Sequence, residues 1–282
     1  MRIKLWGTRG TVATPTAANA RYGGNTPCIQ VQAEDDQLII LDAGIGLHFF
    51  GDQLLAEGKA SNGCRGHILL THLHWAHIQG IPFFLPLLFD GNRFSIYGSS
   101  GGSGHLEKRL REQMDLCYCP VPNFFEDKVG AKITIADIDD AEFHVGQTRV
   151  MARRINHVAG EPCLGYRLES GGAVLAYIPD VEYLEETHRV PAVELARGAD
   201  LLIHDAHYTS DEYPHHRGAG HASDADALDI AQRAGARRLL LFHHHPDRAD
   251  TTIDAIVSSH RKNGLPVAAA RQGEEMVLGD RG

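Results

Sequence analysis

Short apolar and β-branched runs, each closed by glycine, proline or a small polar residue, alternate along this chain with a few stretches of helical spacing. Residues 2–6, 28–32, 37–41 and 67–71 read as strands, and residues 47–57 as a helix stopped by Gly58. Residues 94–97 form another strand, followed by a Gly/Ser loop over 98–104 and a helix over 105–114. The second half repeats the rhythm, with strands at 132–136, 149–155, 163–168, 173–178, 201–204 and 238–243. Residues 223–234 make a helix with Ser223 as N-cap and Gly235 just beyond its end. Residues 251–263 form a helix stopped by Gly264, and 267–278 read as a hairpin turning near Gly273. Strands come first in each half and helices follow. Two mixed sheets packed face to face, with helices outside, satisfy that order: an α/β fold of the αββα sandwich type. No linker divides the chain and no internal repeat is visible, so residues 1–282 are expected to form one domain.

At 282 residues the chain can bury a substantial core, and its 43% apolar and 22% charged content is ordinary for a globular protein. The net charge of −9 argues against a general nucleic-acid binder. Cys28, Cys64, Cys117, Cys119 and Cys163 are odd in number and irregular in spacing, so no disulfide framework is expected. Cys117 and Cys119 have no second pair to complete a zinc cluster. The N-terminus opens as a strand rather than an apolar leader, and the most apolar stretch, 81–89, is short and broken by Pro82 and Pro86. A cytoplasmic protein with no membrane partner is therefore expected. The 81–89 stretch is open to a homodimer interface, a lid or a core role.

Histidine changes the picture, because eighteen of them fall mostly in clusters beside carboxylates. The densest cluster is Ile68-Leu69-Leu70-Thr71-His72-Leu73-His74-Trp75-Ala76-His77. An apolar strand ends there in alternating histidines. Alternate residues of an extended segment point the same way, so His72 and His74 can converge on one ion. His77 lies just beyond, where the chain turns into a helix.

This segment resembles the H-x-H-x-D-H motif of the metallo-β-lactamase-fold hydrolases, and its Thr71, Trp75, Ile78, Gln79 and Gly80 context resembles their phosphodiesterase and tRNase Z-like branch. The resemblance runs along nearly the whole chain. It implies Asp42 as the aspartate that orients the histidine loop, and His157 as the third histidine of a first metal site with His72 and His74. It further implies Asp180 as the carboxylate bridging two metals and His243, at a strand end, as the last ligand; His244 and His245 adjoin it. Leu202-Ile203-His204-Asp205-Ala206 resembles the H-E-A-T segment of that branch, and Gly220-His221-Ala222-Ser223 its H-S-T segment. There the histidine acts near the scissile phosphate, held by the acidic residue, which makes His221 and Asp205 the implied proton-transfer pair. The loops at Gly7–Thr11 and Tyr22–Thr26 also resemble the branch, and Arg9, Arg21 and Arg167 are candidates to meet a phosphate.

The resemblance implies one or two Zn²⁺ ions, with Mn²⁺ or Fe compatible, and a water activated as hydroxide to attack phosphorus. One element departs from the pattern. Ala76 stands where the family has an aspartate, leaving His77, His243 and Asp180 for a second ion. The other motifs are present, so Ala76 reads as an inactivating substitution engineered into a working site. A natural one-metal variant or a non-catalytic nucleotide binder is the alternative. The segment 98–128 is short and carries no basic arm for RNA, which with the acidic charge favours a small or cyclic nucleotide phosphodiester. An RNA 3′-end endonuclease of tRNase Z type, or an acyl hydrolase such as a lactonase or thioesterase, are the competing readings.

Overall fold

The structure, a computed structural model, describes residues 1–61, 63–101, 105–121, 125, 130–261 and 263–279. The strands are β1 Arg2–Gly7, β2 Cys28–Gln32, β3 Leu38–Leu41, β4 Arg65–Leu69, β5 Arg93–Gly98, β6 Lys132–Asp137 and β7 Ala141–Val145. They continue as β8 Thr148–Ile155, β9 Cys163–Ser170, β10 Ala173–Ile178, β11 Leu201–Asp205, β12 Leu239–Phe242, β13 Val267–Ala269 and β14 Glu275–Val277. One sheet runs β14-β1-β2-β3-β4-β5-β6 and the other β13-β12-β11-β10-β9-β8-β7. Each is mixed in the same manner. In the first, β14, β1, β2 and β3 pair antiparallel and β3 to β6 parallel. In the second, β7 to β10 pair antiparallel and β10 to β13 parallel.

Burial explains the strand sequences. β1 alternates exposed and buried positions, whereas β11 and β12 are buried throughout and are almost continuously apolar. One core, including Leu5, Ile39, Leu69, Tyr166, Tyr177 and Phe242, lies between the sheets. Two more cover the outer faces. The helices are α1 Gly46–Ala56, α2 Trp75–Ile78, α3 His105–Glu112, α4 Arg189–Ala196, α5 Tyr213–His216, α6 Asp224–Ala234 and α7 Asp250–Ser259. The first sheet packs beneath α1 and α3, and the second beneath α4 and α6. This is the αββα sandwich.

Several sequence expectations need correction. The segment 267–278 is no hairpin: β13 joins β12 in one sheet and β14 joins β1 in the other, so this stretch crosses the sandwich. Strand β7 and helix α4 were not read from the pattern. β7 alternates half-buried and exposed residues at the sheet edge, and α4 carries Pro191 inside it. The 81–89 stretch is largely core: Ile81, Phe84 and Leu87 are fully buried, with Phe84 stacked 6.0 Å from Phe50 of α1. Part of the expected loop over 98–104, and part of the segment 98–128, lies outside the described residues. No helix among the described residues is long and apolar enough to cross a membrane.

The sheets are tied at one end. The buried Tyr166 hydroxyl on β9 donates to the Leu70 carbonyl at 2.6 Å, and the Leu164 amide donates to the Thr71 carbonyl at 2.9 Å. Tyr166→Phe would leave that buried carbonyl without its donor, and urea unfolding should show a loss of about 1–2 kcal/mol with metal content unchanged.

Candidate metal centre

The parallel strands of both sheets end at the same edge of the sandwich, where a cleft forms beyond their carboxyl ends. Asp42 follows β3, the Thr71–His77 turn follows β4, and His157 follows β8. Asp180 follows β10, Asp205 ends β11, and His243 follows β12. Each group thus stands where a buried strand meets the surface.

Asp42 is fully buried, with φ of +56°. Its Oδ1 accepts the Thr71 amide at 2.8 Å and the Thr71 hydroxyl at 2.9 Å. Its Oδ2 accepts His77 Nδ1 at 2.8 Å and the Tyr177 hydroxyl at 2.8 Å. Thr71 Oγ1 in turn lies 3.0 Å from His72 Nδ1. These bonds occupy Nδ1 of both histidines and turn their Nε2 atoms to the cleft, the arrangement by which proteins orient metal-binding imidazoles. His157 is held likewise, donating from Nδ1 to the Gly220 carbonyl at 2.6 Å. A methyl on Gly220 would stand 2.8 Å from that nitrogen, and φ there is +88°, so the position requires glycine. His243 shares the left-handed conformation, with φ of +58°. A non-glycine residue held there stores on the order of 1 kcal/mol, kept by the surrounding structure.

Ligand atoms of His72, His74 and His157 lie within 4.8 Å of one another, as do those of His72, His77 and Asp180. Asp180 Oδ2 is 3.2 Å from His77 Nε2, and its Oδ1 is 3.3 Å from His243 Nε2. The buried atoms His72 Nε2, His77 Nε2, Asp180 Oδ2 and both ring nitrogens of His243 have no hydrogen-bond partner. Such atoms are costly unless something binds them, and their convergence fits a divalent cation. Burial holds His72, His74, His157 and His243 below the usual histidine range, keeping them in the neutral form that binds metal. His77 differs: burial lowers it, but Asp180 and Asp42 on either side raise it to about 10. Burial likewise raises Asp180, yet His243 and His77 outweigh it and hold the carboxyl well below its usual range. The pocket thus favours positive charge at this point.

A family model described as the Beta-lactamase superfamily domain matches residues 38–244. The chain belongs to this superfamily. Ribonuclease Z of Natronomonas pharaonis is 27% identical over 284 residues, covering 86% of each chain. YhfI from Bacillus subtilis, a metallo-β-lactamase fold protein, superposes with a TM-score of 0.73 at 21% identity, covering 99% of this chain and 98% of that one. Human tRNase Z, short form, superposes with a TM-score of 0.70 at 19% identity, covering 99% and 100%.

Within this superfamily frame, the structure brings together Asp42, His72, His74, His77, His157, Asp180, Asp205, His221 and His243. The three arginines offered for phosphate are not among them. Arg9 is fully buried and donates to the carbonyls of Gly23, His245 and Arg248, bracing the N-terminal loop. Arg21 pairs with Asp254 on the surface, and Arg167 donates to Glu169 and to the carbonyls of Leu195 and Arg197. His244 turns away to the Ala270 carbonyl at 2.8 Å. Ala76 is buried in the helical turn α2 Trp75–Ile78 and offers the site no ligand atom.

Two site residues escaped the sequence reading. Glu182, fully buried, accepts the Gly218 and Gly220 amides at 2.6 and 2.8 Å and the Tyr213 hydroxyl at 3.0 Å, shaping the loop that carries His221. His207 lies against His221, with ring centroids 4.4 Å apart. Its signal was its place two residues past Asp205 at a strand end; Glu182 offered none, because only the fold shows that it is buried. For Asp42→Asn, competition against a chromophoric chelator should show metal affinity reduced about 10–100-fold, because His77 loses its carboxylate acceptor.

Proposed function

We propose that this chain is a metal-dependent phosphodiester hydrolase acting on a small substrate such as a cyclic nucleotide, in a site weakened by an inactivating substitution at Ala76. The observation that carries the reading is a histidine backed by a buried carboxylate beside the metal ligands. His221 donates from Nδ1 to Asp205 Oδ2 at 2.9 Å, and lies 3.8 Å from Asp180 Oδ1. Asp205 is anchored by the Val181 and Ala222 amides on Oδ2 and the His207 amide on Oδ1. Burial pushes Asp205 up to about 6, although His221 opposes the shift. Burial lowers His221, but the Asp205 and Asp180 carboxylates outweigh it, so the net shift is upward. The upward shift favours the protonated form, from which Nε2 can deliver a proton to a leaving alkoxide. Acyl transfer to water has less need of such a donor, which favours phosphoryl chemistry.

His72, His74 and His157, with Asp180, would hold one ion. His77, His243 and Asp180 are the remaining ligands of the family's second position. When bound, such ions supply Lewis acidity, lowering the pKa of water and screening the phosphate oxygens. Without a carboxylate at 76, the site lacks the group that in the family accepts a hydrogen bond from the attacking water.

A cavity of about 590 Å³ lined by Leu73 and Trp75, the chain neighbours of His74, and by Arg109, Gln113, Tyr118 and Glu161 has room for a small organic group. The similarity to an enzyme named Ribonuclease Z favours a second reading, an RNA 3′-end endonuclease, against which the net charge of −9 weighs.

Ala76→Asp should raise bis-p-nitrophenyl phosphate hydrolysis by at least about tenfold, the equivalent of about 1.4 kcal/mol of transition-state stabilisation. No gain in rate or metal content would sink the assignment of Ala76 as the inactivating change. Cleavage of lactones or thioesters in preference to phosphodiesters would overturn the reaction class, and cleavage of a precursor tRNA in preference to cyclic nucleotides would establish the RNA reading. In the Ala76→Asp background, His221→Ala should cost about 10²–10⁴-fold with a poor alkoxide leaving group. The cost should be far smaller with p-nitrophenolate, which departs without a proton; equal losses on both substrates would remove His221 from proton transfer.

A further inference from the structure

We propose that this chain carries a transition-metal site on His207, His221 and His243, apart from the position that the family's missing aspartate would serve. Ligand atoms of these three imidazoles all lie within 4.8 Å of one another. His77 falls with His72 and Asp180, and Asp180 Oδ1 also lies 3.3 Å from His243 Nε2, so the two clusters meet at this carboxylate. Ring centroids lie 4.8 Å apart for His221 and His243, 5.3 Å for His207 and His243, and 5.5 Å for His77 and His243. With alanine at 76, the His77 side keeps Asp180, 3.2 Å from His77 Nε2, but lacks the second carboxylate that the family places there.

The hydrogen bonds around the trio prepare it for a cation. His207 donates from Nδ1 to the His243 carbonyl at 3.0 Å, and His221 donates from Nδ1 to Asp205. Each bond fixes the ring and leaves Nε2 free to bind, while buried His243 makes no hydrogen bond at either nitrogen, its Nε2 lying 3.3 Å from Asp180 Oδ1. His207 is fastened by its own backbone. Its amide donates to Asp205 Oδ1 at 2.9 Å, and its carbonyl accepts from Arg248 at 2.9 Å. Gly10 passes directly behind the rings: a methyl there would stand 2.6 Å from His243 Nδ1 and 2.9 Å from His207 Nδ1. The chain thus packs backbone against the imidazoles and braces them toward the cleft. Zn–N bonds of about 2.0–2.1 Å need the nitrogens slightly closer than in this arrangement, a change small ring rotations supply. Three imidazoles suit Zn²⁺, Co²⁺ or Ni²⁺ and disfavour Mg²⁺ and Ca²⁺.

The site has a consequence that rests on the proposed phosphodiester chemistry. An ion on His221 Nε2 takes the lone pair that would otherwise carry the proton for the leaving group. Binding there and proton delivery exclude one another, so filling this site inhibits.

The test uses the metal-stripped full-length chain titrated with Co²⁺, read by visible absorption, and with Zn²⁺ against a chromophoric chelator. Two ions should bind, and His207→Gln, whose amide can still donate to the His243 carbonyl, should weaken one of them about 10–100-fold while sparing the other. Thermal unfolding of the metal-free variant should match the parent, which separates ligand loss from misfolding. Unchanged binding in His207→Gln, with the second ion lost instead in His77→Ala, would overturn the site. In the hydrolysis assay with Ala76→Asp, excess Zn²⁺ should inhibit, and the added His207→Gln change should relieve that inhibition. Loss of an ion in His207→Gln without phosphodiester turnover in any variant would leave this site standing and remove the proposed function. Turnover with unchanged binding in His207→Gln would do the reverse.

Discussion

Four donors converge on the Asp42 carboxylate, which is fully buried where the two sheets meet. A carboxylate in that position is tolerable only because the Thr71 amide and hydroxyl, His77 and Tyr177 satisfy it. Thr71 and His77 belong to the turn after the first sheet's β4, and Tyr177 to β10 of the second. One side chain therefore joins the halves of the sandwich and aims His77, and through Thr71 His72, into the cleft. The Tyr166 to Leu70 bond and the Leu164 to Thr71 bond reinforce the same corner. These bonds tie the sheets together at the corner that presents the candidate ligands.

The cleft follows from the shared edge. Strands β3, β4, β8, β10, β11 and β12 all deliver a histidine or carboxylate as they emerge from the core. Burial there does two opposed things. It keeps the first-site histidines neutral, and it makes every carboxylate depend on a cationic or hydrogen-bonding neighbour. Asp180 resolves that dependence through His77 and His243, and Asp205 through His221 and three backbone amides. Glu182 does the same for the loop over 218–220, whose Gly220 carbonyl holds His157. A chain of buried carboxylates thus positions the imidazoles, and it stays intact with alanine at 76.

Most strands and the main helices were legible because their burial repeats at short range. Ile39 to Leu41 and Leu201 to Ile203 are apolar because both faces of their sheets are covered. The misreading of residues 267–278 has the converse cause: two short runs around a glycine satisfy a hairpin pattern equally well when they pair with strands of different sheets. Strand β7, at a sheet edge with a half-exposed face, carries too weak an alternation to be read locally.

By itself, the sequence determined the sandwich, the ordered histidines and aspartates from Asp42 to His243, and the alanine at 76 where the family resemblance implies an aspartate. Those features are encoded in residue type at strand ends, where local pattern is enough. Only the tertiary structure decided which charged groups reach the cleft. Arg9, Arg21 and Arg167 spend their guanidiniums elsewhere, whereas His207 and Glu182 are folded into it. The reason is physical: a side chain's partner depends on which distant strands and loops the sheets bring alongside, and that pairing is a property of the whole sandwich.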